Sequence, residues 1–333
     1  MPIISNTFSP SFPFKSAHFN TVYRPLFMKD TIEYQRKRIT TWDADFIDLD
    51  FSLVDSNTLV LLIHGLEGSS QSNYMITTSN YLNTIGFDTV CMNLRGCSGE
   101  DNLLLETYHS GKTDDLEFII KYLKNNYNYE NIVVIGYSLG GNLALKYLGE
   151  YSNIPSEVKG GIAVSVPVDL TSSQAELNKL KNKIYLNEFL RTMKLKLLQK
   201  AEKFPDFQLD KELLFKASKF RHLEKQYTVP VFGFDSSEDY WQKASAKPFI
   251  PEIKVPTLLI NALDDSFLSQ ECYPIKEAKE MKNFHLLTPN YGGHVGFMSS
   301  FSNTENRWLE QQIGVFIQEV IGIRHAHNIH KNL

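Results

Sequence analysis

The stretch Asn131-Ile132-Val133-Val134-Ile135-Gly136-Tyr137-Ser138-Leu139-Gly140-Gly141, followed by Asn142 to Glu150, decides the reading of this chain. Four consecutive β-branched residues make a short, fully apolar run, and NLALKYLGE continues with apolar residues at helical spacing. The intervening glycines mark a tight turn in which backbones approach closely without Cβ clashes. The segment therefore predicts a buried strand, a sharp turn carrying Ser138, and a helix that starts at Leu139.

Similar apolar runs recur on either side: 59–63, 87–93, 161–167, 256–262 and 284–288. Helical patterns separate them at 72–85, 114–123, 139–148 and near 308–321. A βαβα order of this kind predicts an α/β fold, with a mostly parallel central sheet covered by helices on both faces. Upstream, residues 38–51 alternate like two short antiparallel strands, with Trp42 to Asp45 as their turn, and are expected to form the sheet's leading edge. Residues 171–251 break the rhythm, because they contain no run that reads as a buried strand. Lysine or arginine recurs there at 179, 181, 183, 191, 194, 196, 200 and 203. Leu186, Leu190, Met193 and Leu197 are spaced four, three and four, so a helix there has one apolar face and a cationic remainder. This segment is expected to be a helical cap, its charged face either solvated or leaning on an anionic surface.

Composition bounds the function. The chain has 333 residues, with 42% hydrophobic and 22% charged, and 18 Gly and 13 Pro are too few for a low-complexity protein. A formal net charge of −4 supplies no field for gripping a polyanion, so nucleic acid is excluded as a main partner. Cys91, Cys97 and Cys272 are odd in number and lack metal-ligand spacing, which argues against a disulfide framework or zinc site and favours a reducing compartment. No stretch has about 18 apolar residues, and the first residues lack the layout of a secretory signal. The expectation is a cytoplasmic protein with no transmembrane segment, no metal and no organic cofactor. His325, His327 and His330 lie in the polar tail 323–333, where a frayed terminus explains them better than a metal site.

A serine hydroxyl attacks a carbonyl only when a base removes its proton, and the base needs a carboxylate to hold its tautomer. Ser138, on the turn at a helix N-terminus, is the candidate nucleophile. His294, in Tyr291-Gly292-Gly293-His294-Val295-Gly296-Phe297, falls on a loop after the last apolar run, at the sheet edge where open α/β folds bind ligands. His109 is the main rival and reads as a pocket or loop residue, while His285 lies inside a strand pattern. For the acid, Asp265 is preferred and Asp264 is its loop-fixing neighbour; Asp169, after the preceding strand, ranks behind both. An oxyanion needs two donors, and the Leu139 amide supplies one. The Leu66 amide, on the turn His64-Gly65-Leu66-Glu67-Gly68, is expected to supply the other, with His64 tying that loop down.

Taken together, HGLEGSSQSNY (64–74), MNLRGCSGE (92–100), YHSGKTDDL (108–116), GYSLGGNLALKYLGE (136–150), SVPVDL (165–170), INALDDSF (260–267) and YGGHVGF (291–297) resemble the YheT-like branch of the α/β-hydrolase superfamily. Its relatives include the ABHD1- and ABHD3-type hydrolases and the EMB8 proteins. HFNTVYRPLF and DADFIDLDF add to the likeness, which spans most of residues 18–321. The resemblance implies the α/β-hydrolase fold and a serine hydrolase with Ser138, Asp265 and His294 as triad and Leu66 and Leu139 as oxyanion donors. It also suggests roles near the pocket for Arg95 and His109, with loop anchoring as the plainer account. Two positions depart from the family pattern: Ala44 stands where a glycine is usual, and Ser266 where a proline is usual. The expected organisation is an N-terminal arm (1–37), a hydrolase domain (38–322) interrupted by the cap (about 171–251), and the tail. The expected activity is that of a short- to medium-chain carboxylesterase acting through an acyl-enzyme. The alternatives are a phospholipase or monoacylglycerol lipase, or a non-catalytic binder of acyl ligands, with peripheral membrane contact as a lesser option.

Overall fold

The computed structural model describes residues 3–4, 8–302 and 306–324. The three tail histidines lie outside the described residues. Among the described residues, nine strands form one sheet in the order β1-β9-β8-β7-β6-β4-β5-β3-β2. The strands are β1 (Ile3–Ile4), β2 (Gln35–Thr40), β3 (Phe46–Ser52), β4 (Thr58–Ile63), β5 (Asp88–Asn93), β6 (Asn131–Tyr137), β7 (Val158–Val164), β8 (Thr257–Ile260) and β9 (Phe284–Leu287). Among the described residues the β2–β3 and β3–β5 pairings are antiparallel and the other pairings are parallel. This is the α/β-hydrolase fold.

The apolar runs are strands because both faces of the sheet are covered. Every residue of β4 and β5 is buried, which a single-sided amphipathic strand would not permit. One face packs against α3 (Thr113–Asn126), α4 (Leu139–Glu150) and α11 (Ile275–Glu280), whose Ile119, Ile120, Leu143, Tyr147 and Ala278 join Leu59, Leu61 and Val134 in one cluster. The other face holds Val60, Leu62, Val133 and Ile135 against α2 (Asn73–Thr84) and α12 (Trp308–Val315). Each fully buried aliphatic side chain contributes roughly 1.5–3 kcal/mol through removal from water. The alternation read in residues 38–51 is accounted for at β3, where Asp48 and Asp50 point to one face and are held bidentately by their cross-strand partners Arg38 and Arg36.

Three features before residue 38 join the sheet or pack on it. β1 adds a parallel edge strand beside β9, and β2 begins at Gln35. A two-residue strand has no periodicity to read, so nothing local marks Ile3–Ile4. Helix α1 (Ala17–Phe27) lies across the loop after β9: Asn20 Nδ2 donates to Phe14 O and Met298 O, while the buried Arg24 reaches Gly296 O and pairs with Glu310 of α12.

Between β7 and β8 the structure contains helices and short 3₁₀ turns: α5 (Leu170–Leu177), α6 (Lys183–Lys203), α7 (Lys211–Lys216), α8 (Phe220–Glu224), α9 (Thr228–Phe232) and α10 (Ser237–Ala244). Leu186, Leu190 and Leu197 of α6 are buried against Leu214, Phe220 and Leu223, so the apolar face spaced four, three and four forms this segment's own core. The cationic face divides in two. Lys179, Lys181, Lys183, Arg191 and Lys203 are exposed, but Lys200 is 1% exposed, its ammonium bound by Asp101, Asn102 Oδ1 and Leu104 O. Helical spacing placed that lysine among solvated charges; the loop that follows β5 covers it. Among the described residues, no helix is long and apolar enough to cross a membrane.

Candidate active site

The loops that follow β4, β6, β8 and β9 at their carboxyl ends converge on one point. Ser138 sits between β6 and α4 with φ 51° and ψ −116°, a backbone conformation that costs a non-glycine residue about 1–3 kcal/mol and persists only where its surroundings impose it. They do so by close packing. A Cβ at Gly136 would lie 2.2 Å from Gly140 O, and one at Gly140 would lie 2.4 Å from both Ile63 O and His64 O. The turn therefore closes only with glycine at these positions, and it projects the serine side chain out of the strand direction.

His294 Nε2 lies 2.9 Å from Ser138 Oγ, and His294 Nδ1 lies 2.8 Å from Asp265 Oδ2. The Asp265 side chain is fully buried and the imidazole is 11% exposed. Asp265 is oriented by the Phe267 amide, which donates to Oδ1 at 3.0 Å, and the Phe267 ring stacks on the imidazole at 4.2 Å. A carboxylate on Nδ1 fixes the tautomer that leaves Nε2 free to take a proton from a hydroxyl. Asp264 points elsewhere: its Oδ1 accepts the Gly293 amide at 2.9 Å, and burial, reinforced by the charge of Asp265, pushes its carboxyl up to about 6.

The structure brings Ser138, Asp265 and His294 together and leaves the rivals apart. His109 packs edge-on against Phe232, Phe234 and Tyr240, and its Nδ1 accepts the Gly111 amide. Burial holds its imidazole near 3, so it stays neutral. His285 is half-buried against Phe316, and Asp169 caps α5 by accepting the Ser172 amide. His64 accepts the Leu94 amide at Nε2 and contacts Gly65 O through Nδ1, which ties the β4 loop to the strand beside it. Arg95 anchors loops: its buried guanidinium pairs with Asp43, Asp45 and Asp115.

The loop after β4 lies against the serine, since a Cβ at Gly65 would sit 3.2 Å from Ser138 Cβ. Three of its amides are engaged: Gly65 N–H donates to Tyr74 OH, Glu67 N–H to Tyr108 OH and Gly68 N–H to Gly65 O. Among the described residues, neither the amide of Leu66 nor that of Leu139 makes a hydrogen bond to a protein acceptor. Two free peptide N–H groups beside a reactive oxygen form an arrangement suited to an anion.

Ser138, Leu66, Leu139 and His294 open onto a cavity of about 150 Å³ that reaches under the helices between β7 and β8. Leu177, Phe189, Met193, Leu197 and Leu223 make much of its wall apolar, and Glu224 and Trp241 line it as well. Glu224 accepts from Trp241 Nε1, and burial pushes its carboxyl up to about 7.

Several supporting residues escaped the sequence reading. Thr21 Oγ1 accepts the His294 amide at 2.8 Å, and the left-handed Gly293 (φ 57°) passes so close to α1 that a Cβ would lie 2.4 Å from Ala17 O. The stretch HFNTVYRPLF contains these contacts, but a helix 273 residues from the histidine has no local signal of its target. Ser266, in place of proline, is held from outside: its hydroxyl donates to Asn182 Oδ1, and Asn182 Nδ2 returns a bond to Ser266 O.

A family model for the α/β-hydrolase fold matches residues 58–300. The chain is 30% identical to the Escherichia coli (strain K12) protein YheT, whose name carries a provisional esterase assignment, over 93% of this chain and 92% of that protein. It is 28% identical to the human protein named phospholipase ABHD3, over 98% of this chain and 82% of that one. Among solved structures, the Pyrococcus furiosus esterase Pf2001 superposes with a TM-score of 0.59 at 20% identity, covering 86% of this chain and 91% of that one, a likeness of fold. The chain belongs to the α/β-hydrolase family, in the branch that contains YheT and ABHD3, and is a hydrolase of that fold.

Proposed function

We propose that this protein is a serine hydrolase that cleaves carboxylic esters, with short- to medium-chain acyl groups, through an acyl-enzyme intermediate. The observation that carries the reading is the continuous hydrogen-bonded path from Ser138 through His294 to Asp265, set beside two unengaged amides. Ser138 Oγ attacks the acyl carbon while His294 Nε2 takes its proton. The Leu66 and Leu139 amides hold the resulting oxyanion, and Asp265 stabilises the imidazolium. His294 then passes the proton to the departing alcohol. Water, deprotonated by the same imidazole, attacks the acyl-enzyme and releases the acid and the free serine. The helices of residues 170–252 act as the cap that walls the acyl pocket and excludes bulk water.

A fluorophosphonate probe tests the chemistry. The wild type is expected to be labelled and Ser138→Ala not. A wild type that fails to label would support a non-catalytic acyl-binding protein. A chain-length series of p-nitrophenyl esters then sets the acyl preference. A second reading, a phospholipase or monoacylglycerol lipase, is favoured by the apolar wall of the cavity and by the human relative's name. It predicts activity that rises sharply once substrate forms micelles, and indifference to aggregation counts against it.

A further inference from the structure

Tyr108 and Glu67 are joined twice. The Glu67 amide donates to Tyr108 Oη at 3.0 Å, and that hydroxyl donates in turn to Glu67 Oε1 at 2.7 Å. The second carboxylate oxygen of Glu67 pairs with Lys196 Nζ at 3.0 Å, and Lys196 belongs to α6, above the cavity. Glu67 itself is left-handed, with φ 56°, so its peptide orientation depends on being held from outside. On the other side of Leu66, Tyr74 Oη holds the Gly65 amide at 2.9 Å. Two phenol hydroxyls therefore hold the amides on either side of Leu66, whose own N–H makes no hydrogen bond among the described residues.

We propose that Tyr108 is the positioning residue of the oxyanion site: by gripping both the amide and the carboxylate of Glu67, it aims the Leu66 N–H at the place where the substrate oxygen becomes negative, and Lys196 locks this grip to the docked helix α6. The proposal rests on the serine-hydrolase reading. Tyr108 also lines the cavity, but its role runs through the loop backbone and not through a bond to the reacting atoms. Its phenol is kept protonated by burial and by the neighbouring Glu67 charge, so it remains a donor to that carboxylate. A donor that tightens only around the developing oxyanion affects the transition state more than substrate binding, and this distinguishes the role from general support of the pocket.

The test uses the full chain with p-nitrophenyl butyrate and a boronic acid as analogue of the tetrahedral intermediate. Tyr108→Phe is expected to lower kcat about 10- to 100-fold with KM within about twofold. The boronic acid inhibition constant is expected to rise by the same factor as kcat/KM falls. Glu67→Gln keeps an acceptor for the phenol and is expected to stay within about fivefold of wild type, whereas Glu67→Ala behaves like Tyr108→Phe. If Tyr108→Phe does not fold, the Glu67 pair carries the same comparison. An unchanged kcat, or a higher KM with no loss of boronic acid affinity, overturns the proposal while leaving the serine-hydrolase reading intact. A wild type that neither labels with fluorophosphonate nor hydrolyses the ester overturns both.

Discussion

His294 Nε2 stands 2.9 Å from Ser138 Oγ across 156 residues of chain, on a loop whose amide is held by Thr21 of the first helix. The pair is assembled by three remote pieces of sequence: the strained turn after β6, the loop after β9 and the helix that clamps it.

The carboxylate behind this pair is open to direct test. Asp265→Asn preserves volume but presents an amide to Nδ1 and favours the wrong imidazole tautomer. On the proposed mechanism kcat falls by about 10⁴-fold with KM little changed. Steady-state kinetics on a p-nitrophenyl ester, with circular dichroism to confirm the fold, check it; retention of a tenth of the activity would remove Asp265 from the mechanism.

The turn carrying Ser138 tolerates no side chain at Gly140. A Cβ there meets two carbonyl oxygens of the β4 end at 2.4 Å, and neither belongs to a flexible side chain. Gly140→Ala is expected to destabilise the protein by about 3 kcal/mol or more, because strand, turn and helix must separate to admit the methyl group. Urea denaturation measures the loss; a stability within about 0.5 kcal/mol of wild type contradicts the packing argument.

Ala44 is a place where the chain stores strain that a single substitution can release. Its φ of 62° is left-handed, in the turn that presents Asp43 and Asp45 to Arg95. The conformation costs about 1–2 kcal/mol for alanine, against about 0.4–1 kcal/mol of extra unfolded-state entropy in glycine. Ala44→Gly is expected to gain about 0.5–1 kcal/mol, the difference between these terms. A lowered midpoint in thermal unfolding would show that the alanine methyl packs more usefully than its strain costs.

Glu224 gives a stability that depends on pH. Burial raises its folded-state carboxyl to about 7 from an ordinary 4.5. The folded state therefore binds this proton more tightly than the unfolded state does. Its contribution is complete below pH 4.5 and is lost as pH rises through about 7. Glu224→Gln removes the charge and keeps an oxygen for Trp241 Nε1, so it is expected to stabilise the protein by up to about 3 kcal/mol at pH 8 and to do little at pH 4.5. Denaturation curves of both proteins at the two pH values test the sign; an equal effect at both leaves Glu224 without a titrating role.

Much of the architecture is legible in one dimension because its signals are local. Apolar runs bounded by glycine and polar residues mark strands buried on both faces, and the glycine spacing around Ser138 encodes a turn that can close only one way. The helical nature of residues 171–251 is equally local, as is the apolar face of α6. The candidates Ser138, Asp265 and His294 are each readable as residues at strand ends. What the tertiary structure alone decided is how distant groups are held against one another. The preference for Asp265 over Asp264 is readable at the strand end, but the contacts themselves, the His294 ring on one and the Gly293 amide on the other, depend on the path of the loop after β9. Lys200 sits among surface-type lysines by spacing, yet three oxygens of a remote loop enclose it. Thr21, Tyr74 and Tyr108 fall within segments that carry the family likeness and Asn182 outside them, but none has a local signal of the group it holds. A hydrogen bond is made over about 3 Å in space and is indifferent to how much chain separates its partners, so contacts of this kind are specified by the fold as a whole.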